Sequence, residues 1–429
     1  MPSLPAQTGA SNESELSRSA RQQVTQVAAL PEVHRTFQWF RDHQRDLSDA
    51  QIELTAIPAP PFGERARAEW FQERFSAAGL SAVEIDEIGN VVAYLPGATP
   101  VSEGVVAVTA HLDTVFPGGT PLKVRRQGDR ILGPGVSDNG AGLTALLALA
   151  ESLQQSGVKP TMPILFVCNV GEEGEGDVRG MRYLFNKSEW GDVIKYTLVL
   201  DGAGTDSIVT QALGSKRFQV VVRGPGGHSW SDFGVPNPIV ALSRAIAEFN
   251  KTVVPTDPKT TFNIGVIEGG TSVNSIPEEA TMRVDLRSAS PDEITKLEKS
   301  LREVLDRAMI ETSAVVRGRR REPVTQQLSY EMKLIGNRPA AELKPNSRIL
   351  ATVQAVDALL NNAARLQRAS TDANIPLSLG REAVAIGAGG SGGGAHTLHE
   401  WYDPTTRELG LKRIILTLLA LSGVQTQPK

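Results

Sequence analysis

The chain has 429 residues, 40% of them hydrophobic and 21% charged, with a formal net charge of −4. That length is too great for one compact core and points to two domains of ordinary globular composition, neither fibrous nor broadly disordered. A single cysteine, Cys168, excludes an intrachain disulfide, no run of about 18 apolar residues offers a membrane span, and Lys and Arg are scattered without the stripe that nucleic-acid binding needs.

Residues 1–20, rich in Ser, Ala and Gln, read as a flexible tail, and they lack the apolar core of a secretory signal, so the cytoplasm is the expected location. A helical pattern covers residues 21–49, the Pro-rich stretch 57–62 breaks it, and an amphipathic helix follows over 64–78. Residues 105–110 predict a buried strand, 142–155 a helix, 163–170 a strand holding Cys168 as an inert buried thiol, 180–185 the start of a helix, and 196–200 a strand. This alternation predicts an α/β domain with a mostly parallel sheet and helices on both faces.

The pattern changes near Gly214. Residues 218–223 alternate like a half-exposed strand, 237–250 form an amphipathic helix, and 261–267 and 280–286 are strands close enough to pair. A long helix over 291–309 begins at Ser290 as N-cap with Glu293 at the capping-box position, and 328–335 closes the set as a strand. The β-α-β-β-α-β order is ferredoxin-like. Residues 213–337 are therefore expected as a small domain inserted into an α/β domain made of 21–212 and 338–429. Just after the long helix, Arg317, Arg319, Arg320 and Arg321 form the one dense basic run, with no aromatic platforms beside it, and it reads as a solvated loop.

Histidines and acids gather at the predicted carboxyl ends of the α/β strands, where open sheets of this kind bind ligands. His111 and Asp113 follow the 105–110 strand two residues apart, so in extended chain both side chains project the same way. A lone His-x-Asp is more often a structural pair. Asp138 sits in a glycine-rich turn before a helix, either as a helix N-terminal charge or as a metal ligand. Glu172 and Glu173 follow the 163–170 strand, where neighbouring carboxylates require solvent or a positive charge between them; Asp201 follows the 196–200 strand. His396 and His399 come after the glycine run 387–394. Each motif is ambiguous alone. Together they supply two histidines and several carboxylates at one sheet edge, a set that suits Zn²⁺, Co²⁺ or Mn²⁺ better than Ca²⁺ or Mg²⁺.

The order His-x-Asp, Ser-Asp-x-Gly, Gly-Glu-Glu-Gly, Leu-Asp-Gly and a late His-Thr, within a stretch running from residue 57 to the C-terminus, resembles the co-catalytic zinc metallopeptidases and aminoacylases, the family of peptidase T and bacterial glutamate carboxypeptidase. The resemblance implies two divalent ions per chain, bridged by Asp138, with His111 and Asp201 completing one site and Glu173 and His396 the other. It implies Glu172 as the general base that moves a proton from attacking water to the leaving amine, and Asp113 as the acceptor that orients His111. It also implies that the inserted domain is a lid or dimerisation domain, that His228 reaches over an active site, usually the partner's in a homodimer, and that Asn274 and Arg287 bind substrate, Arg287 through a carboxylate. His396 is preferred over His399 because the family's His-Thr pattern falls there, and Asn139 departs from the acidic, basic or apolar residue of many relatives without touching the bridge. The glycine run offers either backbone N–H groups to substrate or only a flexible link. His34 and His43 read as surface residues.

The expected function is metal-dependent hydrolysis of an amide bond in short peptides. An N-acyl-amino-acid amidohydrolase with the same site is the alternative within enzymes, and a non-catalytic binding homologue the alternative outside them. That last reading would predict loss of Glu172 or of a ligand, and all are present.

Overall fold

The computed structural model describes residues 14–317 and 327–425. Of the basic run, Arg319, Arg320 and Arg321 lie outside the described residues. The chain divides into two compact units. One comprises the chain up to Thr210, Leu343–Gln367 and the chain from Leu379 onward; the other comprises Gln211–Glu342 and Arg368–Ser378.

The first unit opens with three helices, Glu15–Ala28, Pro31–Asp42 and Gln44–Ala56, in place of the single helical pattern expected over 21–49. The tail expectation is corrected at its end, since helix structure begins at Glu15, where the Ser14 hydroxyl caps it by accepting the Ser17 N–H. The physical reason is an apolar stripe, Ala20, Val24 and Val27, at helical spacing and buried, on a helix that packs against Arg348–Leu359. Pro31 marks the restart: it has no N–H to give in a helix interior and fits the first turn of the second helix.

The main sheet of this unit runs in the order Ser81–Ile85, Val91–Leu95, Ile164–Asn169, Val105–His111, Ile194–Leu200, Glu382–Ile386 and Ser207–Ala212. The middle four strands are parallel and the flanking ones antiparallel. Every residue of Val105–His111 and of Ile164–Asn169 is buried, as strands covered on both faces must be. Helices Gly140–Ser156 and Arg407–Ser422 pack against the Val105–His111 strand and supply such cover. Among the described residues, no helix is long and apolar enough to cross a membrane.

The second unit has a four-stranded antiparallel sheet in the order Thr260–Gly269, Glu279–Ser288, Gly214–Arg223 and Ser329–Arg338. That is the ferredoxin-like order, with helices Pro238–Phe249 and Pro291–Arg317 packed on it. Phe218, Val220 and Val222 meet Leu242, Phe249, Leu301 and Leu305 in its core.

Two helices of the first unit are joined by a buried ion pair: Arg413 donates to both oxygens of Asp357, at 2.7 and 2.9 Å, with the arginine fully buried. Asp357→Ala should lower stability by about 3–5 kcal/mol, because it strands a buried guanidinium. Asp357→Leu combined with Arg413→Met should recover most of that loss in urea titrations, since two apolar groups carry no desolvation cost.

Candidate metal centre

The singled-out acids and histidines of the first unit converge because a parallel sheet places all its carboxyl ends on one edge. His111 ends Val105–His111, Glu172 and Glu173 follow Ile164–Asn169, and Asp201 follows Ile194–Leu200. His396 comes from the loop after Glu382–Ile386, and these four strands are consecutive neighbours in the sheet. Asp138 lies in the turn before helix Gly140–Ser156, and the Asp138–Asn139 peptide bond is cis. The Asn139 side chain accepts the Gly142 and Gly202 N–H groups and donates to the Leu200 carbonyl, tying this turn to the loop that carries Asp201.

Asp138 stands between the two histidines. Its Oδ1 is 3.1 Å from His111 Nε2 and its Oδ2 is 3.2 Å from His396 Nε2. Asp201 Oδ1 is 3.9 Å from His111 Nε2, and Glu173 Oε1 is 3.0 Å from His396 Nε2. Three trios bring one ligand atom per residue within 4.8 Å of one another: His111, Asp138 and Asp201; Asp138, Glu173 and His396; and His111, Glu172 and Glu173. The first two share Asp138.

The electrostatics match a cation site. Burial works against charge on His111, but hydrogen bonds to Asp113 and Asp138 outweigh it and hold its pKa well above the usual imidazole range. Hydrogen bonds to Asp138 and Glu173 lift His396 to about 10. Burial alone would raise Asp138, yet the two imidazoles hold it well below the usual carboxylate range. Protonated imidazoles neutralise the carboxylates here, and a divalent ion coordinated by the same atoms would do so in their place. Imidazole and carboxylate donors at this density fit an ion of the Zn²⁺, Co²⁺, Mn²⁺ group.

Asp113 does more than the sequence implies. It is fully buried, and its carboxylate accepts the Glu172 N–H at 2.9 Å and the Glu173 N–H at 2.8 Å. His111 Nδ1 lies 3.0 Å from the Asp113 main-chain carbonyl and 3.5 Å from its carboxylate. One residue therefore fixes both the imidazole and the two-glutamate loop.

Sequence motifs do not mark Glu400, yet its carboxylate accepts the N–H groups of Gly135, Ser137 and Asp138 at 2.7, 2.8 and 2.7 Å. Burial raises it to about 7 despite those bonds. Nor do they mark the brace beneath Asp113. Buried Arg67 donates to the Leu112 and Ile57 carbonyls at 2.6 and 2.5 Å, while Arg179 Nη2 lies 2.7 Å from both oxygens of buried Glu64. His399 lines a separate cavity with Lys123 and Arg125. The glycine run is no free linker: Ser391–Gly393 pairs with Trp401–Asp403.

In the second unit, exposed His228 and Asn274 come together. Gly227–His228 pairs with Ser275–Ile276, and the Ser229 N–H donates to the Asn274 carbonyl at 2.9 Å. Arg287 is not with them. It pairs in register with Ser215, whereas Glu279, eight residues back on the same strand, pairs with Arg223, so Arg287 lies roughly 26 Å from Glu279 along the strand. Its Nε donates to Asp285 at 2.6 Å.

The sequence model of peptidase family M20/M25/M40 matches residues 107–420. The uncharacterized protein YqjE of Bacillus subtilis is 24% identical over 365 residues, covering 81% of this chain and 91% of its own length. A probable carboxypeptidase of Aspergillus oryzae is 31% identical over 235 residues, 50% of this chain and 53% of that protein, so the chain spans about half of it. The crystal structure of aminopeptidase PepT from Bacillus cereus superposes with a TM-score of 0.68 at 20% identity, covering 88% of this chain and 98% of that one.

Asp113→Ala should weaken divalent-ion affinity about 10–100-fold in competition with a chromogenic chelator, because it releases the Glu172–Glu173 loop and unpairs two N–H groups. Ion loading should also release protons. A histidine with a raised pKa keeps its proton until the pH passes that value, and a ligand imidazole must be neutral, so apparent affinity should rise with pH. Calorimetry in buffers of different ionisation heat at pH 7 measures that release.

Proposed function

The chain belongs to peptidase family M20/M25/M40 and hydrolyses amide bonds with the help of bound metal; on that premise we propose that it cleaves short peptides at a two-ion centre with Glu172 as general base. The observation that carries this reading is the shared carboxylate, with one oxygen of Asp138 beside His111 and the other beside His396. His111 and Asp201 would complete the donors for one ion, and Glu173 and His396 those for the other. Zn²⁺ is the ion this set suits, with Co²⁺ or Mn²⁺ as substitutes. Bound there, the ions supply positive charge that polarises a scissile carbonyl and acidifies water.

The chain's own groups do the rest. Glu172 is buried, has a carboxylate oxygen within 4.8 Å of His111 and Glu173 ligand atoms, and belongs to neither proposed ion's set. It takes a proton from water as the oxygen attacks the carbonyl carbon, then gives that proton to the nitrogen as the C–N bond breaks. Asp113 keeps Glu172 aimed through its bond to the Glu172 N–H. His228 Nδ1 accepts the Trp230 and Ser231 N–H groups at 3.2 and 3.4 Å, which leaves the ring proton on Nε2. That tautomer is a donor, and we assign it to the developing oxyanion, reached from the partner subunit of a cytoplasmic homodimer. Asn274 beside it contacts substrate, and Arg287 receives a substrate carboxylate.

The deciding experiment is hydrolysis of di- and tripeptides and N-acyl amino acids by chelated protein before and after Zn²⁺, Co²⁺ or Mn²⁺ is restored. Peptide cleavage that returns with metal supports the reading. Activity confined to acyl amino acids replaces it with the amidohydrolase. Glu172→Gln should lower kcat by about 10²–10⁴-fold with metal content unchanged by elemental analysis; near-normal turnover would remove Glu172 from its role.

A further inference from the structure

The second unit holds a cavity of about 430 Å³ whose lining comes from both of its long helices, Pro238–Phe249 and Pro291–Arg317, and from the segments that follow His228 and Asn274. Its walls are mostly apolar, formed by Phe233, Val235, Val240, Val273 and Ile276. Arg244 is the one charged side chain in the lining, and no Asp or Glu is part of it. A volume of this order is usual for small-molecule sites.

Thr312, from the Pro291–Arg317 helix, closes the cavity on one side and is 3% exposed. Its hydroxyl is buried and has no hydrogen-bond partner. A helical threonine has an easy partner in the carbonyl four residues earlier. The buried helical threonines Thr36, Thr55, Thr144, Thr352 and Thr417 all take it. Thr312 does not, although leaving a buried hydroxyl unpaired is costly. The group it lacks is one that the cavity can hold.

Arg244, half-buried on the Pro238–Phe249 helix, has no hydrogen-bond or ion-pair partner among the described residues. Glu248, four residues on, is engaged elsewhere: Lys251 Nζ lies 2.7 Å from one oxygen and Arg307 Nη1 3.8 Å from the other. The cavity therefore offers one uncommitted guanidinium, one uncommitted buried hydroxyl and a wide apolar wall.

We infer that this cavity binds a small apolar monocarboxylic acid, with Arg244 receiving the carboxylate and the Thr312 hydroxyl completing its hydrogen bonds. A single guanidinium matches a single negative charge and reads a carboxylate with two parallel N–H groups. A dianion would want a second cation, and an ammonium would find no acid in the lining. Ser229 and Ser275, which directly follow His228 and Asn274, also line the cavity, so an occupant packs against the ribbon that carries both. The site is thus one through which a small acid acts on that ribbon. It is independent of the hydrolytic reading, because its test reads binding.

The probe is octanoate below its micelle-forming range, with 1-octanol and octylamine as uncharged and cationic controls, titrated calorimetrically into the full chain. Octanoate should bind at one molecule per chain, about tenfold or more tightly than either control. Arg244→Gln should remove that preference. Thr312→Val keeps the side-chain shape, so it should weaken octanoate by about three- to tenfold while Tm stays level or rises, since an unpaired buried hydroxyl is lost. Hydrogen exchange should slow over residues 229–237 and 273–276 when octanoate is added. Equal binding of all three probes, parent affinity in both variants, or slowed exchange confined to other segments overturns the site. Failure of octanoate to bind also overturns it, and a dimer that Val240→Asp dissociates in sedimentation would then assign this face to a second copy of the chain.

Discussion

The Asp113 carboxylate, wholly buried and bonded to the N–H groups of Glu172 and Glu173, joins the ends of two adjacent parallel strands, and much of the centre depends on that junction. Parallel strands bring His111 and the two glutamates to the same edge, but loops beyond a strand end are free to drift unless something pins them. A charged acceptor for two main-chain donors is a strong pin in a dry setting. The same carbonyl-and-carboxylate residue holds His111 from its Nδ1 side and so leaves Nε2 directed at Asp138. Arg67 below it donates to the Leu112 carbonyl, adding a positive charge next to the buried acid.

Glu400 repeats the device on the other side of the site. It gathers three N–H groups from the Gly135–Asp138 turn, so the proposed bridging carboxylate is presented by a backbone whose donors are already satisfied. Asn139 then fastens the turn to the Asp201 loop. The candidate ligands thus come from five separate segments, and buried polar side chains outside the ligand set hold several of those segments in mutual register. Their desolvation cost is offset by the hydrogen bonds they complete.

Much of this was legible in the chain itself. Apolar strands ending in His or acid and then glycine, as at His111, Glu172–Glu173 and Asp201, announce both the strand and what its end carries, because burial and chemistry change abruptly at one residue. The inserted unit was legible from periodicity, and its strand order matches the expected ferredoxin-like type. The tail was misread at its end because Ala20, Val24 and Val27 form a stripe too sparse to stand out among Ser and Gln, and it acquires meaning only against Arg348–Leu359. Glu400, Arg67 and Glu64 were not legible for a related reason. Their partners are main-chain groups or residues far away in sequence, and a polar residue on a helix or loop looks solvated until the fold buries it. The roles drawn for His228, Asn274 and Arg287 rested on resemblance; their pairing partners in the second unit show which two are neighbours and which is not.

The strand Glu382–Ile386 lies in the interior of the main sheet, parallel to Ile194–Leu200 on one side and joined to Ser207–Ala212 on the other through Ala385 and Val209. In chain order it is the last of the sheet's seven strands described above. During synthesis from the ribosome, the Ile194–Leu200 edge therefore stands complete and apolar while the whole inserted unit is still being made. An unpaired interior edge of that kind invites pairing with other chains. The nascent protein thus passes through a sticky stage whose length is set by translation of the insert, and slower elongation there would lengthen its exposure to chaperones and to aggregation alike.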